Sequence, residues 1–192
     1  IKVFDDFIDA VDSQKRFLLK SDIELFSQYR LLIDDQINSS DIAFFNLVHE
    51  TLKTRIDEVE NFYEKILEVP FNFKVIEEIN LDYDNLEYAE NSSELKRTWR
   101  KRLKLSALDG YASKKEINDK EKENDKLSSD SEIEIESRLS ISDNLKDFFQ
   151  FNSELERSDW FSIYLNTIVT QFDPHTSYLA PEAKEVFDQN IS

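Results

Sequence analysis

One glycine, Gly110, and three prolines, Pro70, Pro174 and Pro181, punctuate the whole of this 192-residue chain. Average usage is about 7% glycine and about 5% proline. Tight hairpins, phosphate-cradling loops, nucleophile elbows and dinucleotide-binding turns all use glycine to reach positive φ. A chain with one glycine has almost no means of building them, whereas helices joined by short loops need few. The fold class expected is therefore all-α: an irregular helical bundle with long antiparallel helices and a short extended segment near 71–75.

The length suits one domain, or one with an appendage. Lysine and arginine number 24 against 41 aspartates and glutamates, for a net charge of −17. Binding to nucleic acid requires a clustered positive footprint, so nucleic acid is not an expected partner. There is no cysteine, which excludes disulfides, thiolate nucleophiles and cysteine-ligated metals. No apolar run is long enough to span a membrane, and the start does not resemble a signal peptide. The chain opens at Ile1, which leads us to expect an upstream segment in the precursor.

Apolar spacing locates the helices. Val3, Phe4, Phe7, Ile8 and Val11 share one side of a first helix, and Asp12-Ser13-Gln14 makes a turn. Ser21-Asp22-Ile23-Glu24 fits a capping box, opening a helix that carries Ile23, Phe26, Tyr29, Ile33 and Ile37. From Ile42 to Leu67 the pattern reads as heptads, with Ile42, His49, Ile56 and Tyr63 at a, and Phe45, Leu52, Val59 and Ile66 at d. With Asn38-Ser39-Ser40 between them, these two helices are expected to pair antiparallel, and Pro70 to end the second. Residues 71–91 read as loop, although Phe71 to Val75 alternates like a strand. Ser92-Ser93-Glu94 opens a helix through Leu95, Trp99 and Leu103 that should end near Gly110. The charged stretch 113–136 reads as a solvated helix or mobile insert. Periodicity returns with Ile141, Leu145, Phe148 and Phe149. It continues in a last stripe, Trp160, Phe161, Tyr164, Leu165, Ile168 and Phe172, that Asp173-Pro174 stops. Pro181-Glu182-Ala183 could begin a short helix.

Candidate sites are few. His49-Glu50-Thr51-Leu52-Lys53 begins like a zinc-peptidase helix but has Lys53 where a second histidine is needed, so His49 reads as a packed, hydrogen-bonded seam residue and no metal is expected. Asp173, His175 and Ser177 are close in sequence, but neighbours on an extended loop point apart. A hydrogen-bonded turn explains Asp173, His175 and Thr176 with fewer assumptions. Lys96, Arg97, Arg100, Lys101, Arg102 and Lys104 form a basic cluster in an acidic chain. It reads as salt-bridged to acidic neighbours, or as a docking surface made of Arg97, Trp99, Arg100, Lys101 and Arg102. Adjacent carboxylates such as Asp34-Asp35 are splayed on a helix by about 100° and suit solvent better than acid–base work. No cofactor is expected.

Two strings carry a family resemblance: Trp99-Arg100-Lys101-Arg102 and Asp173-Pro174-His175-Thr176-Ser177-Tyr178. With Lys15-Arg16-Phe17-Leu18-Leu19, Leu32 to Ile37 and Phe71-Asn72-Phe73, they resemble the amino-terminal helical domain of tail-specific (carboxy-terminal processing) serine peptidases. The resemblance implies a helical domain over 1–172, with 113–136 as a departure from the pattern. It implies a junction over 173–192, marked by Asp173, Pro174, His175, Thr176 and Tyr178, leading to a PDZ domain and a protease core. It further implies a periplasmic parent that binds free carboxy-termini of polypeptides and cuts with a Ser–Lys dyad lying beyond Ser192. This chain would then hold no catalytic residue and be inactive alone, acting as scaffold, wall of the substrate channel and docking surface for an adaptor protein. The rival reading is a free-standing acidic helical interaction protein. A hydrolase using clustered carboxylates is a weaker third.

Overall fold

In the computed structural model, which describes residues 2–120 and 128–180, about 70% of the described residues are helical and no strand forms among them. The elements are α1 (Lys2–Asp12), α2 (Lys20–Phe26), a 3-10 turn (Ser27–Tyr29), α3 (Ile33–Ser39), α4 (Ala43–Leu67), α5 (Ser92–Lys120), α6 (Asp130–Glu154) and α7 (Arg157–Val169).

The backbone manages without glycine at its turns. Among the described residues positive φ occurs at Lys15 and Ser40. Ser40 follows α3 in the left-handed region, and the Ser40 and Asp41 amides donate to Ile37 O and Gln36 O, the paired bonds that close a helix C-terminus. Gly110 does not end α5, as the sequence suggested; the helix runs ten residues further, to Lys120. Gly110 lies inside α5 facing Ser137 of α6, where a Cβ would sit 3.4 Å from Ser137 Cβ, in van der Waals contact.

Contacts 110–137, 115–130 and 118–128 place α5 and α6 antiparallel. The described parts of the charged stretch, 113–120 and 128–136, are the facing ends of these two helices. Residues 113–120 finish α5, and α6 starts from Ser129, whose hydroxyl accepts the Glu132 amide while Glu132 accepts the Ser129 amide. Residues 121–127 lie outside the described residues. Within the stretch Ile133 is buried, and the ion pairs Lys115–Asp130 and Lys114–Glu136 cross between the two helices.

α4 is the central post. Phe44, Phe45, Val48, Leu52, Val59, Tyr63 and Leu67 are buried, a broader stripe than an a/d seam. It packs against α2, α5, α6 and α7, not against one long antiparallel mate. The helix expected through Ile37 is broken into α2, the 3-10 turn and α3, which leaves Ile37 half exposed. α2 also starts earlier than Ser21. Lys20 N donates to Ala89 O, Leu19 stays extended as N-cap, and Asp22 accepts the Leu19 amide at 2.9 Å. Arg55 of α4 then grips both Asp22 oxygens at 2.8 and 2.9 Å.

At one end, α1 meets α7 through an aromatic cluster. Phe7 and Tyr164 have ring centroids 4.9 Å apart, Phe45 and Phe161 5.0 Å, and Phe4 and Phe44 5.2 Å. α7 ends at Val169, so Phe172 falls past the stripe and is exposed. Segment 71–91 is loop, as read; Phe71 to Val75 forms a turn closed by Val75 N to Asn72 O. Pro181-Glu182-Ala183 lies outside the described residues.

Candidate functional site

The basic cluster on α5 faces the loop 71–91 and holds it down. Arg100 and Lys104 both reach the Glu77 carboxylate, Lys104 at 2.7 Å. Arg100 first, then Lys104, hold the Glu77 pKa down to about 2. Lys104 also donates to Val75 O and Lys101 to Glu78 O, at 2.7 and 2.8 Å. Arg102 donates to Gln14 O at 2.7 Å and lies over the Tyr83 ring. Lys15 closes the far side by donating to Tyr83 O and Leu86 O. The cations thus take up backbone carbonyls that a glycine-free loop leaves unpaired.

Within the expected docking set, Trp99 is corrected: it is 2% exposed and belongs to the core. Its Nε1 donates to Arg16 O at 2.6 Å, tying α5 to the α1–α2 turn. Arg100, Lys101 and Arg102 are engaged on the loop, and Arg97 pairs with Glu94 one turn back on the exposed face. No common outward surface joins the five.

Beneath that clamp, the α1–α2 turn, the loop, α5 and α6 enclose a cleft of about 380 Å³. Asp12, buried at the end of α1, accepts the amides of Arg16, Phe17 and Leu18 at 2.7, 3.1 and 2.9 Å. Burial pushes its pKa up to about 6, against the pull of those amides and of Arg102. Arg16 lies over the rings of Trp99, Phe148 and Phe17 at 5.0, 5.2 and 5.8 Å. Burial lowers the pKa values of Arg16 and Arg102, with Asp12 and Tyr83 opposing. Arg102 Nε and Nη1 are buried and have no hydrogen-bond partner among the described residues. Sequence reading did not single out Arg16 or Tyr83 as cleft residues; the one visible signal was Arg16 directly before the apolar run Phe17-Leu18-Leu19.

The segment after α7 is an Asx-type turn. Asp173 Oδ1 accepts the His175 amide at 2.9 Å, Asp173 Oδ2 accepts the Thr176 hydroxyl at 3.1 Å, and Thr176 N donates to Asp173 O. Tyr178 N donates to Asn166 Oδ1 at 2.8 Å, which holds the segment back against α7. Pro174 follows Asp173 where the helix has already ended. No nucleophile hydrogen-bonds a base in this turn among the described residues.

His49 lines a second cleft of about 450 Å³ between α4, the end of α6 and the start of α7, with Leu52, Ile56, Phe149 and Trp160. Its ring stacks on Phe45 at 5.7 Å, but Nδ1 has no hydrogen-bond partner among the described residues; Glu50 Oε1 stands 3.5 Å away. The hydrogen-bonded seam histidine expected from the heptads is thus corrected to one held by stacking on Phe45, with the Glu50 carboxylate beside Nδ1 but not hydrogen-bonded to it. Burial draws its pKa down, which favours the neutral ring. Among the described residues no three histidine, aspartate or glutamate side chains converge as metal ligands, and no helix is long and apolar enough to cross a membrane.

A family model described as the tail specific protease N-terminal domain matches residues 1–182. The tail-specific protease of Haemophilus influenzae is 24% identical over 192 residues, which is 100% of this chain and 25% of that protein. The chain therefore spans about a quarter of the length of the curated relative it matches. The helical bundle, the clamped loop and the turn at 173–178 all fall inside the matched region, and the chain belongs to the family of tail specific protease N-terminal domains.

Proposed function

We propose that this chain is the non-catalytic helical part of a periplasmic carboxy-terminal processing serine endopeptidase. Supporting this is the match over residues 1–182, together with alignment of the whole chain to a quarter of a tail-specific protease. In this reading the parent binds free carboxy-termini through a PDZ domain and cuts with a Ser–Lys dyad, both carried outside these residues. The helices form a scaffold and one wall of the substrate channel, and their acidic exterior serves an adaptor protein. The turn at Asp173 to Tyr178, tied to α7, sets the direction in which the chain leaves the bundle.

The test compares this chain with the longer protein that contains it on an unstructured substrate ending in apolar residues. The expected result is cleavage by the longer protein and none by the chain. Cleavage by the chain that persists through repeated purification overturns the reading.

A further inference from the structure

Five of the eight arginines, Arg30, Arg55, Arg97, Arg100 and Arg138, sit in ion pairs among the described residues, and Arg157 is satisfied by Asn46. Arg16 and Arg102 have no carboxylate within ion-pair distance among the described residues, although the chain carries 41 of them. Both line the 380 Å³ cleft. A buried polar atom without a partner is uncommon, and a buried charge still more so. Here the two arginines stand together, and the nearby Asp12 is committed to three backbone amides.

We propose that this cleft binds an organic monocarboxylate carried on an apolar group. Arg16 supplies the recognition. Its guanidinium carbon lies 5.0 Å from the Trp99 ring centre and 5.2 Å from that of Phe148, between two aromatic walls, and none of its donors is used by another described residue. A planar, pre-positioned guanidinium matches the two oxygens of a carboxylate. Arg102, anchored to Gln14 O, adds a second positive charge to the lining and keeps Nη1 and Nε without a partner among the described residues.

The lining carries two arginines and no carboxylate, with Asp12 acting on both from beside the cleft, so the site favours an anion. The −17 chain around it disfavours multiply charged phosphates. The remaining wall, Leu81, Leu103, Ile141, Leu145 and Phe148, takes an aliphatic or aromatic body. The volume lies within the range of about 300–1,000 Å³ that small-ligand sites occupy. The same chemistry is offered by a free organic acid and by the end of a polypeptide. This inference goes beyond the proposed function and does not depend on it.

The chain holds two tryptophans, Trp99 in the cleft wall and Trp160 in the other cleft. Trp160→Phe therefore leaves Trp99 as the only indole reporter. This variant is titrated at constant ionic strength with 4-phenylbutyrate and with an N-acetylated dipeptide ending in phenylalanine. The neutral amide of each and inorganic phosphate serve as comparisons. The expected result is a saturable change in Trp99 fluorescence with at least one acid, weakened about tenfold or more in its amide and in a further Arg16→Gln exchange. Binding of phenylbutyrate alone assigns the site to free acids, and binding of the dipeptide alone to chain ends. No saturable change with either acid overturns the proposal, as does equal binding of acid and amide, or tighter binding of phosphate. Should Arg16→Gln not fold by circular dichroism, the acid–amide comparison decides by itself.

Discussion

Replacing Trp99 by phenylalanine should cost more than its conservative chemistry suggests. The indole is 2% exposed and its Nε1 donates to Arg16 O at 2.6 Å. Phenylalanine cannot donate, so the Arg16 carbonyl is left unpaired inside the domain, at a cost of about 1–3 kcal/mol. The lost pyrrole portion, about three buried heavy atoms, removes about 2 kcal/mol more at ~0.8 kcal/mol per methylene-sized group. The contacts with Phe17 and Phe62, at 6.0 and 6.5 Å, and the Arg16 guanidinium at 5.0 Å loosen with it. The expected loss is about 3–5 kcal/mol, a large share of the ~5–15 kcal/mol available to a domain. Urea unfolding followed by far-ultraviolet circular dichroism measures it, with an unchanged slope confirming that the compactness of the end states is preserved. Trp160→Phe is the control. That ring is only partly buried and donates to no described residue, so about 1.5 kcal/mol or less is expected. A loss below about 1 kcal/mol for Trp99→Phe, or one equal to that of Trp160→Phe, would refute the view that this indole ties α5 to the α1–α2 turn.

Two further outcomes follow from the core. Leu52, 1% exposed in α4, should lose about 2–5 kcal/mol on replacement by alanine, and a loss under about 0.5 kcal/mol in the same urea assay would remove α4 from the centre of the bundle. Asp12 should titrate near pH 6 in the folded chain by carboxyl carbon NMR, against 3.8 for the exposed group. The native state then takes its proton before the unfolded chain does, so this group adds stability as pH falls through 6 toward about 4, and Asp12→Asn should abolish that increment. A folded-state midpoint below 4 would show that the three amides outweigh burial.

The clamp on α5 shows why a basic cluster is hard to assign from sequence. Arg100, Lys101 and Lys104 are spaced along one helix in a way that fits either solvent or a partner. Their targets, Glu77, Glu78 O and Val75 O, lie more than twenty residues away in a segment with no periodicity. Trp99 in the same string is a core residue, because i, i+4 spacing with Leu95 and Leu103 puts it on the buried face, a spacing that was already legible. In the charged stretch 113–136 the described residues are helical over 113–120 and from 130 on and mostly exposed, as the solvated-helix reading expects, and Ser129 with Glu132, a capping box in plain sight, marks the start of α6.

The scarcity of glycine and the apolar spacing determined by themselves that this chain is helical, where the long helix α4 lies, and where α5 begins. These properties are local: they depend on backbone freedom and on which residues recur every three to four positions. The tertiary structure alone decided that α5 runs through Gly110, how the helix through Ile37 divides, and that Arg16 and Arg102 line one cleft with Trp99. Each of those depends on which distant segment approaches which face, and the energy of that approach is spread over residues far apart in sequence.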